Sequence, residues 1–144
     1  MKLVDANVLL YAVNEDAAHH EQSRTWLDAA LGGAATVGFA WTALLAFVRL
    51  STRPGLFPSP LGVDEALARV GEWLAQPSAL VLEPTARHLE VLTELLTPAG
   101  IGGNLVADAH LAALAVEHRA TVVTFDADFG RFAGIKWEQP ARLA

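Results

Sequence analysis

Four aspartates are the residues of this chain best suited to chemistry. Asp5 ends the short apolar stretch Met1-Lys2-Leu3-Val4 and opens the run Val8 to Val13. Asp126 and Asp128 follow the β-branched stretch Thr121-Val122-Val123-Thr124, and Asp108 lies in the first turn of a helix that starts after Asn104. Singly, each has an ordinary reading: Asp5 as an N-cap, Asp108 as an acid set against a helix N-terminus, Asp126 and Asp128 as turn formers. Jointly they point elsewhere. Each falls just past a strand's C-terminal end or at a helix N-terminus, and in a parallel α/β sheet those ends share the face where ligands bind. Carboxylates gathered in one place repel unless some take up protons or a cation neutralises them. A hard divalent ion with oxygen ligands is the simplest compensation.

The elements that must position these acids follow from periodicity. Leu105, Leu111, Ala112, Leu114 and Ala115 recur at helical spacing, with Asn104 as the expected N-cap. Thr121 to Thr124 suits a fully buried strand. Earlier in the chain, Asp16 is expected to cap a helix that ends near Gly32-Gly33 and turns Trp26, Leu27, Ala30 and Leu31 inward. Ala35 to Gly38 reads as a weak strand. Trp41 to Leu50 reads as a helix, apolar nearly all round and therefore buried. Ser51 to Gly62, with three prolines and two glycines, is a loop. Val63 to Ala75 is amphipathic, with Ala66, Leu67, Val70, Trp73 and Leu74 on one side. Ala79 to Leu82 has the continuous apolar character of a buried strand. A helix begins at Pro84-Thr85, buries Leu89, Leu92, Leu95 and Leu96, and stops at Pro98-Ala99-Gly100; Ile135-Lys136-Trp137 adds a short edge strand. Strands alternating with helices predict βαβ units. The expected architecture is one domain over residues 1–144, a three-layer α/β/α sandwich around a mainly parallel sheet.

Composition narrows the classes. With 144 residues, 53% apolar and 18% charged, the chain can build a packed core and is not of the disordered type. No apolar run approaches the roughly 18–20 residues of a membrane span. Asp5 interrupts the N-terminal apolar stretch, which therefore is not a secretory signal. The absence of cysteine excludes disulfides and thiolate metal sites, and the cytoplasm is the expected location. A net charge of −6 opposes broad attraction to nucleic acid. That charge is uneven, however: no acid lies between Asp28 and Asp64, whereas Arg49 and Arg53 do.

Asp5-x-Asn7 after the first strand, the helix start D-A-H-L-A-A-L-A at 108 and T-F-D-A-D-F at 124–129 resemble the PIN-domain ribonucleases, above all the VapC-type toxins of bacterial toxin–antitoxin pairs. The segment W-T-A-L-L-A-F-V-R-L-S-T-R-P-G-L-F (41–57) is similar to one subgroup, and the likeness spans essentially the whole chain. The resemblance implies the same three-layer fold and a metal-dependent endoribonuclease. Asp5 and Asp108 would be primary ligands of Mg²⁺ or Mn²⁺, with Asp126, and Asp128 nearby, completing the site directly or through water. A water acidified by the ion would attack the phosphodiester in line, leaving a 5′-phosphate and a 3′-hydroxyl. Asn7 and Thr124 are candidates to hold the carboxylates by hydrogen bonds. The implied partners are RNA, a second copy of the chain in a homodimer, and a small antitoxin, giving a heterotetramer or larger assembly. The sequence departs from the family in one place. A pattern like L-A-E-L-L-R, with its arginine placed on Arg49, puts Ala46 where the family has Glu, and no acid between 29 and 63 replaces it. A second metal ion is thereby less supported, and a catalytically weakened scaffold that binds a partner protein is the alternative.

Other residues invite chemistry less. Adjacent helical residues point about 100° apart, so His19-His20 cannot face one ion well. His110 and His118 are read as neutral surface or boundary groups. Gly100-x-Gly102-Gly103 follows a helix rather than a strand, which excludes the dinucleotide reading and leaves a bend before Asn104. Arg49, Arg53 and Arg131 are candidate phosphate contacts. A phosphate-accepting Asp5, as in haloacid-dehalogenase-like phosphatases or receiver domains, would want a second acid where Asn7 stands and a lysine near the anion. The lysines are Lys2, at the start of its strand, and Lys136, after the last motif.

Overall fold

The strand β1 (Lys2–Val4) touches both faces of the molecule. A computed structural model describes residues 1–100 and 102–142 of the chain. Successive side chains of a strand point to opposite faces, and both Leu3 and Val4 are fully buried. Leu3 packs into an apolar cluster with α5 (His88–Ala99) and α6 (Leu105–His118). Val4 belongs to a second cluster built by α1 (Ala6–Val13), α2 (His20–Leu31), α3 (Trp41–Thr52) and α4 (Val63–Leu74). Helices therefore cover both sides of the sheet, as the alternating pattern predicts.

The sheet has five strands in the order β3 (Ala79–Val81), β2 (Val37–Phe39), β1, β4 (Thr121–Val123), β5 (Trp137–Glu138), and every pairing is parallel. Leu3 pairs with Val122 and Val4 with Val123. Strand order reverses between β1 and β4. In open α/β sheets a crevice forms outside the strand C-termini at that reversal, and Asp5 follows β1 there as Thr124 follows β4. At Gly38 a Cβ would lie 2.8 Å from Leu82 Cδ1, so glycine lets the chain beyond β3 pack tightly onto β2.

Several expectations need correction. α2 starts at His20, because Asp16 donates its backbone N–H to Asn14 Oδ1 in a turn of its own and caps nothing. α3 is amphipathic rather than buried all round: Ala43, Leu44 and Phe47 face α1 and α4, while Trp41 and Leu45 are exposed. On α4, Leu67 is likewise exposed while Ala66, Val70 and Trp73 are buried. β3 is an edge strand with a single neighbour, and its central Leu80 is half exposed. α5 begins at His88, because residues 85–87 form a turn in which Thr85 Oγ1 accepts from Arg87 N–H. That offset turns Leu89 out to solvent and gives its core place to Val91. α5 ends where expected, with Gly100 at φ 67° as its left-handed cap. Asn104 precedes α6, but its own backbone is helical and its side chain makes no cap bond. Of the bend between these helices, residue 101 lies outside the described residues. Among the described residues no helix is long and apolar enough to cross a membrane.

Candidate active site

Asp5 is placed by backbone pairing. Its N–H donates to Val123 O at 3.0 Å, extending the β1–β4 ladder one residue past the strands. It then N-caps α1: one carboxylate oxygen accepts from Ala6 N–H at 2.7 Å. The other accepts from Thr124 Oγ1 at 2.8 Å and from Asn7 Nδ2 at 3.4 Å. Asn7 Nδ2 also donates to Thr124 Oγ1 at 3.1 Å, and Asn7 Oδ1 accepts from Phe125 N–H at 3.2 Å. Thr124 Oγ1 in turn accepts from Asp126 N–H at 3.0 Å. Thr124 is fully buried. The residues after β1 and those after β4 are thus laced together by Asn7 and Thr124, the two residues expected to hold the carboxylates.

Asp108 comes from the opposite layer, in the first turn of α6, where an acid is favoured by the helix dipole. With Asp5 it lines a cleft of about 180 Å³ whose other walls include Thr42, Ala43 and Ala46 of α3 and Ala107 and Leu111 of α6. Ala46 therefore faces the site. The position where the resemblance calls for a third acid offers a methyl group. Asp126 N-caps the 3₁₀ helix Ala127–Arg131, accepting from Asp128 N–H at 2.9 Å, and Asp128 is exposed with Arg131 Nε at 3.4 Å. Arg131 is thus an ion-pair partner of Asp128, while Arg49 and Arg53 are exposed.

The electrostatics tie the four acids together. Burial pushes the Asp108 carboxyl up to about 6, and repulsion from Asp5, Asp126 and Asp128 adds to it in that order. Burial also raises Asp5, although the Thr124 hydroxyl and the Ala6 N–H pull it back, and Asp126 raises it further. Without a cation the pocket holds its charge at a cost. Among the described residues no three His, Asp or Glu side chains stand close enough to hold an ion unaided. A cage of protein ligands is not what Mg²⁺ requires: it keeps several waters and takes one or two carboxylates plus substrate oxygens. Two oxygen-donor carboxylates on one cleft, with no imidazole or thiolate beside them, match a hard divalent ion.

The histidines are all used elsewhere. His20 Nδ1–H donates to Tyr11 O at 2.8 Å, and His19 stacks on Phe125 with centroids 4.3 Å apart. His118 Nε2–H donates to Glu83 O at 2.7 Å. His110 is not a bystander: its Nδ1 lies 2.9 Å from His88 Nε2, and His88 Nδ1 lies 2.6 Å from Glu117 Oε2. Sequence reading missed this chain and the aromatic group around His19, since both join residues remote along the polypeptide.

The family described as PIN domain matches residues 2–135. The chain is 61% identical over 143 residues to Ribonuclease VapC37 of Mycobacterium tuberculosis, covering 99% of each. It is 36% identical over 142 residues to Ribonuclease VapC33 of the same organism, again covering 99% of each. Solved structures with this fold include VapBC2 of Rickettsia felis bound to a promoter DNA fragment, with a TM-score of 0.70 at 18% identity over 96% of this chain and 97% of that one. Another is VapC20 of M. tuberculosis, a toxin that cleaves the sarcin–ricin loop, with a TM-score of 0.69 at 19% identity over 94% of this chain and 99% of that one. At such identities the structural likeness speaks for the fold alone. On the domain match and on the two full-length relatives, the protein belongs to the PIN domain family, among the VapC ribonucleases.

Proposed function

We propose that this chain, as a single PIN domain over residues 1–144, is an endoribonuclease dependent on Mg²⁺ or Mn²⁺ and the toxin of a toxin–antitoxin pair acting in the cytoplasm. The observation that carries the reading is the facing of Asp5 and Asp108 across one cleft, with Asp108 raised to about 6 by burial and then by its acidic neighbours. Asp5 and Asp108 would hold the cation, with Asp126 reaching it through water. When bound, the cation supplies Lewis acidity towards water and positive charge where the phosphodiester gains negative charge.

The protein's own residues do the positioning. Thr124 and Asn7 fix the Asp5 carboxylate in one orientation, which removes a reorganisation that would otherwise accompany substrate binding. Neutral Ala46 and apolar Leu111 line the cleft and keep part of it dry. A dry wall strengthens the field of the remaining carboxylates. The net charge of −6 disfavours extended duplex, so an unpaired RNA segment is the substrate class that fits. A small antitoxin and a second copy of the chain are the proposed partners.

Ala46 favours one second reading, a weakened nuclease that acts chiefly by binding a partner. The deciding experiment is cleavage of RNA by the purified chain with Mg²⁺ or Mn²⁺, with EDTA and Asp5→Asn as controls. Cleavage that EDTA and the substitution both abolish is expected. Cleavage indifferent to both would reject the mechanism, and a folded chain with no cleavage under either ion would leave the scaffold reading standing.

A further inference from the structure

We infer that the stacked rings of His19 and Phe125, edged by Tyr11, form a nucleobase platform that holds an unpaired base of the RNA beside the carboxylate cleft, with Arg142 meeting the adjoining phosphate. The inference rests on the ribonuclease reading above and adds the residues that grip the substrate. Phe125 stands between Thr124 and Asp126, and its N–H is bonded to Asn7 Oδ1, so its ring is fixed relative to the acids. Tyr11 lies four residues beyond Asn7, about 6 Å further along α1. The His19 and Phe125 rings are nearly parallel, with an interplanar angle of 16°. Tyr11 meets Phe125 edge-on, with centroids 5.4 Å apart, and lies 5.7 Å from His19.

His19 is a poor choice for its backbone position and a good one for stacking. It occupies the N-cap of α2, where Ser, Thr, Asp or Asn would bond a free N–H, and its imidazole makes no such bond. The ring is exposed, yet it is not loose: its neighbour His20 is tied to the Tyr11 carbonyl. His19 also lines an open surface groove of about 450 Å³. Arg142 and Glu21 stand in its wall, and Gln22 Nε2 donates to Pro140 O at 2.7 Å, which holds the C-terminal segment against α2. Glu21 repels phosphate, so Arg142 is the wall's phosphate contact. Unpaired RNA bases are recognised by stacking on aromatic and histidine rings, a mode that tolerates any base. A chain of charge −6 gains little affinity from long-range attraction, and stacking supplies what charge does not.

The test compares wild type, His19→Ala and His19→Trp on a single-stranded RNA oligonucleotide, by steady-state cleavage with Mn²⁺ and by fluorescence anisotropy without cleavage in Ca²⁺. His19→Ala should raise KM and the anisotropy Kd about ten-fold, with kcat within about two-fold and an unchanged Tm. His19→Trp should restore both. An RNA with one abasic position beside the cleavage site should lose the same factor with wild type and nothing further with His19→Ala. Cleavage by His19→Ala with unchanged KM and Kd, or losses that multiply, would overturn the platform alone. Absence of cleavage by wild type would overturn the ribonuclease reading instead, and the anisotropy comparison would still judge the platform.

Discussion

Two clusters built on carboxylates lie at opposite ends of α6, and they differ in whether the protein itself supplies the partners. Near the C-terminus, Glu117 is saturated by donors: Thr85 N–H at 2.8 Å, Thr85 Oγ1 at 2.5 Å and His88 Nδ1 at 2.6 Å. Its side chain is buried, and these bonds hold its carboxyl below the usual range despite that burial. Near the N-terminus, Asp108 has no hydrogen-bond donor among the described residues and three acids for neighbours, and burial followed by their repulsion pushes its carboxyl up. A buried carboxylate satisfied by its own protein is a fastener between α5 and α6. One surrounded by other carboxylates is relieved by taking up a proton or by an external cation.

The sharpest break in this comparison is functional. Asp5→Asn and Asp108→Asn should each lower RNA cleavage by more than about 100-fold, above the ~10–100-fold usual for residues that merely support ligands. Glu117→Gln should leave cleavage within about three-fold, yet cost about 2 kcal/mol in urea unfolding, because the amide keeps one acceptor oxygen and sets an NH₂ donor against Thr85 or His88 in place of the other. A matched hydroxyl deletion comes next: Thr124→Val should slow cleavage about ten-fold by freeing Asp5, whereas Thr85→Val should affect stability only.

Opposite slopes with pH follow from the same contrast, read by urea unfolding in EDTA. Asp108 has a folded value of about 6 against the ordinary 3.8, so the folded state binds more protons between those values and stability falls as pH rises through that window. Above about 6 the penalty is complete, and Asp108→Asn should remove it. Glu117 is shifted the other way: its contribution is present above the unfolded value and lost as pH falls through the lower folded one, and Glu117→Gln should abolish that acid-side loss. Ala46→Glu gives the smallest effect. A third carboxylate in the cleft should tighten Mn²⁺ about ten-fold and lower metal-free stability by under about 1 kcal/mol.

Only one of these clusters was visible in the sequence. Asp5 follows a strand and Asp108 opens a helix, so their meeting on one cleft requires no more than a parallel sheet, which the alternating pattern supplies; Asp126 and Asp128 follow β4 but do not line that cleft. Asn7 and Thr124 were accessible for the same reason, being adjacent to the strand ends. Glu117, His88 and Thr85 come together only because α5 docks on α6 with His88 in its first turn, whereas Pro84-Thr85 carries the sequence signal for a helix start. The pairing of His19 with Phe125 likewise depends on where the turn after α1 delivers the chain. Burial errors had one cause. Apolar residues such as Leu45, Leu80 and Leu89 sit on an edge strand or on helix faces that are largely exposed among the described residues, and apolar character alone does not reveal which neighbour is missing.

Isothermal titration of Mn²⁺ into the metal-free protein at pH 6, repeated in buffers of different ionisation enthalpy, reaches the cation pocket without any RNA. A carboxyl half protonated at that pH should release about half a proton on saturable binding, and Asp108→Asn should lose both the binding and the release. The same isotherm from Asp108→Asn would mean that the cleft between Asp5 and Asp108 is not where a cation sits, and saturation with no proton release would mean that the Asp108 carboxyl is not held up there.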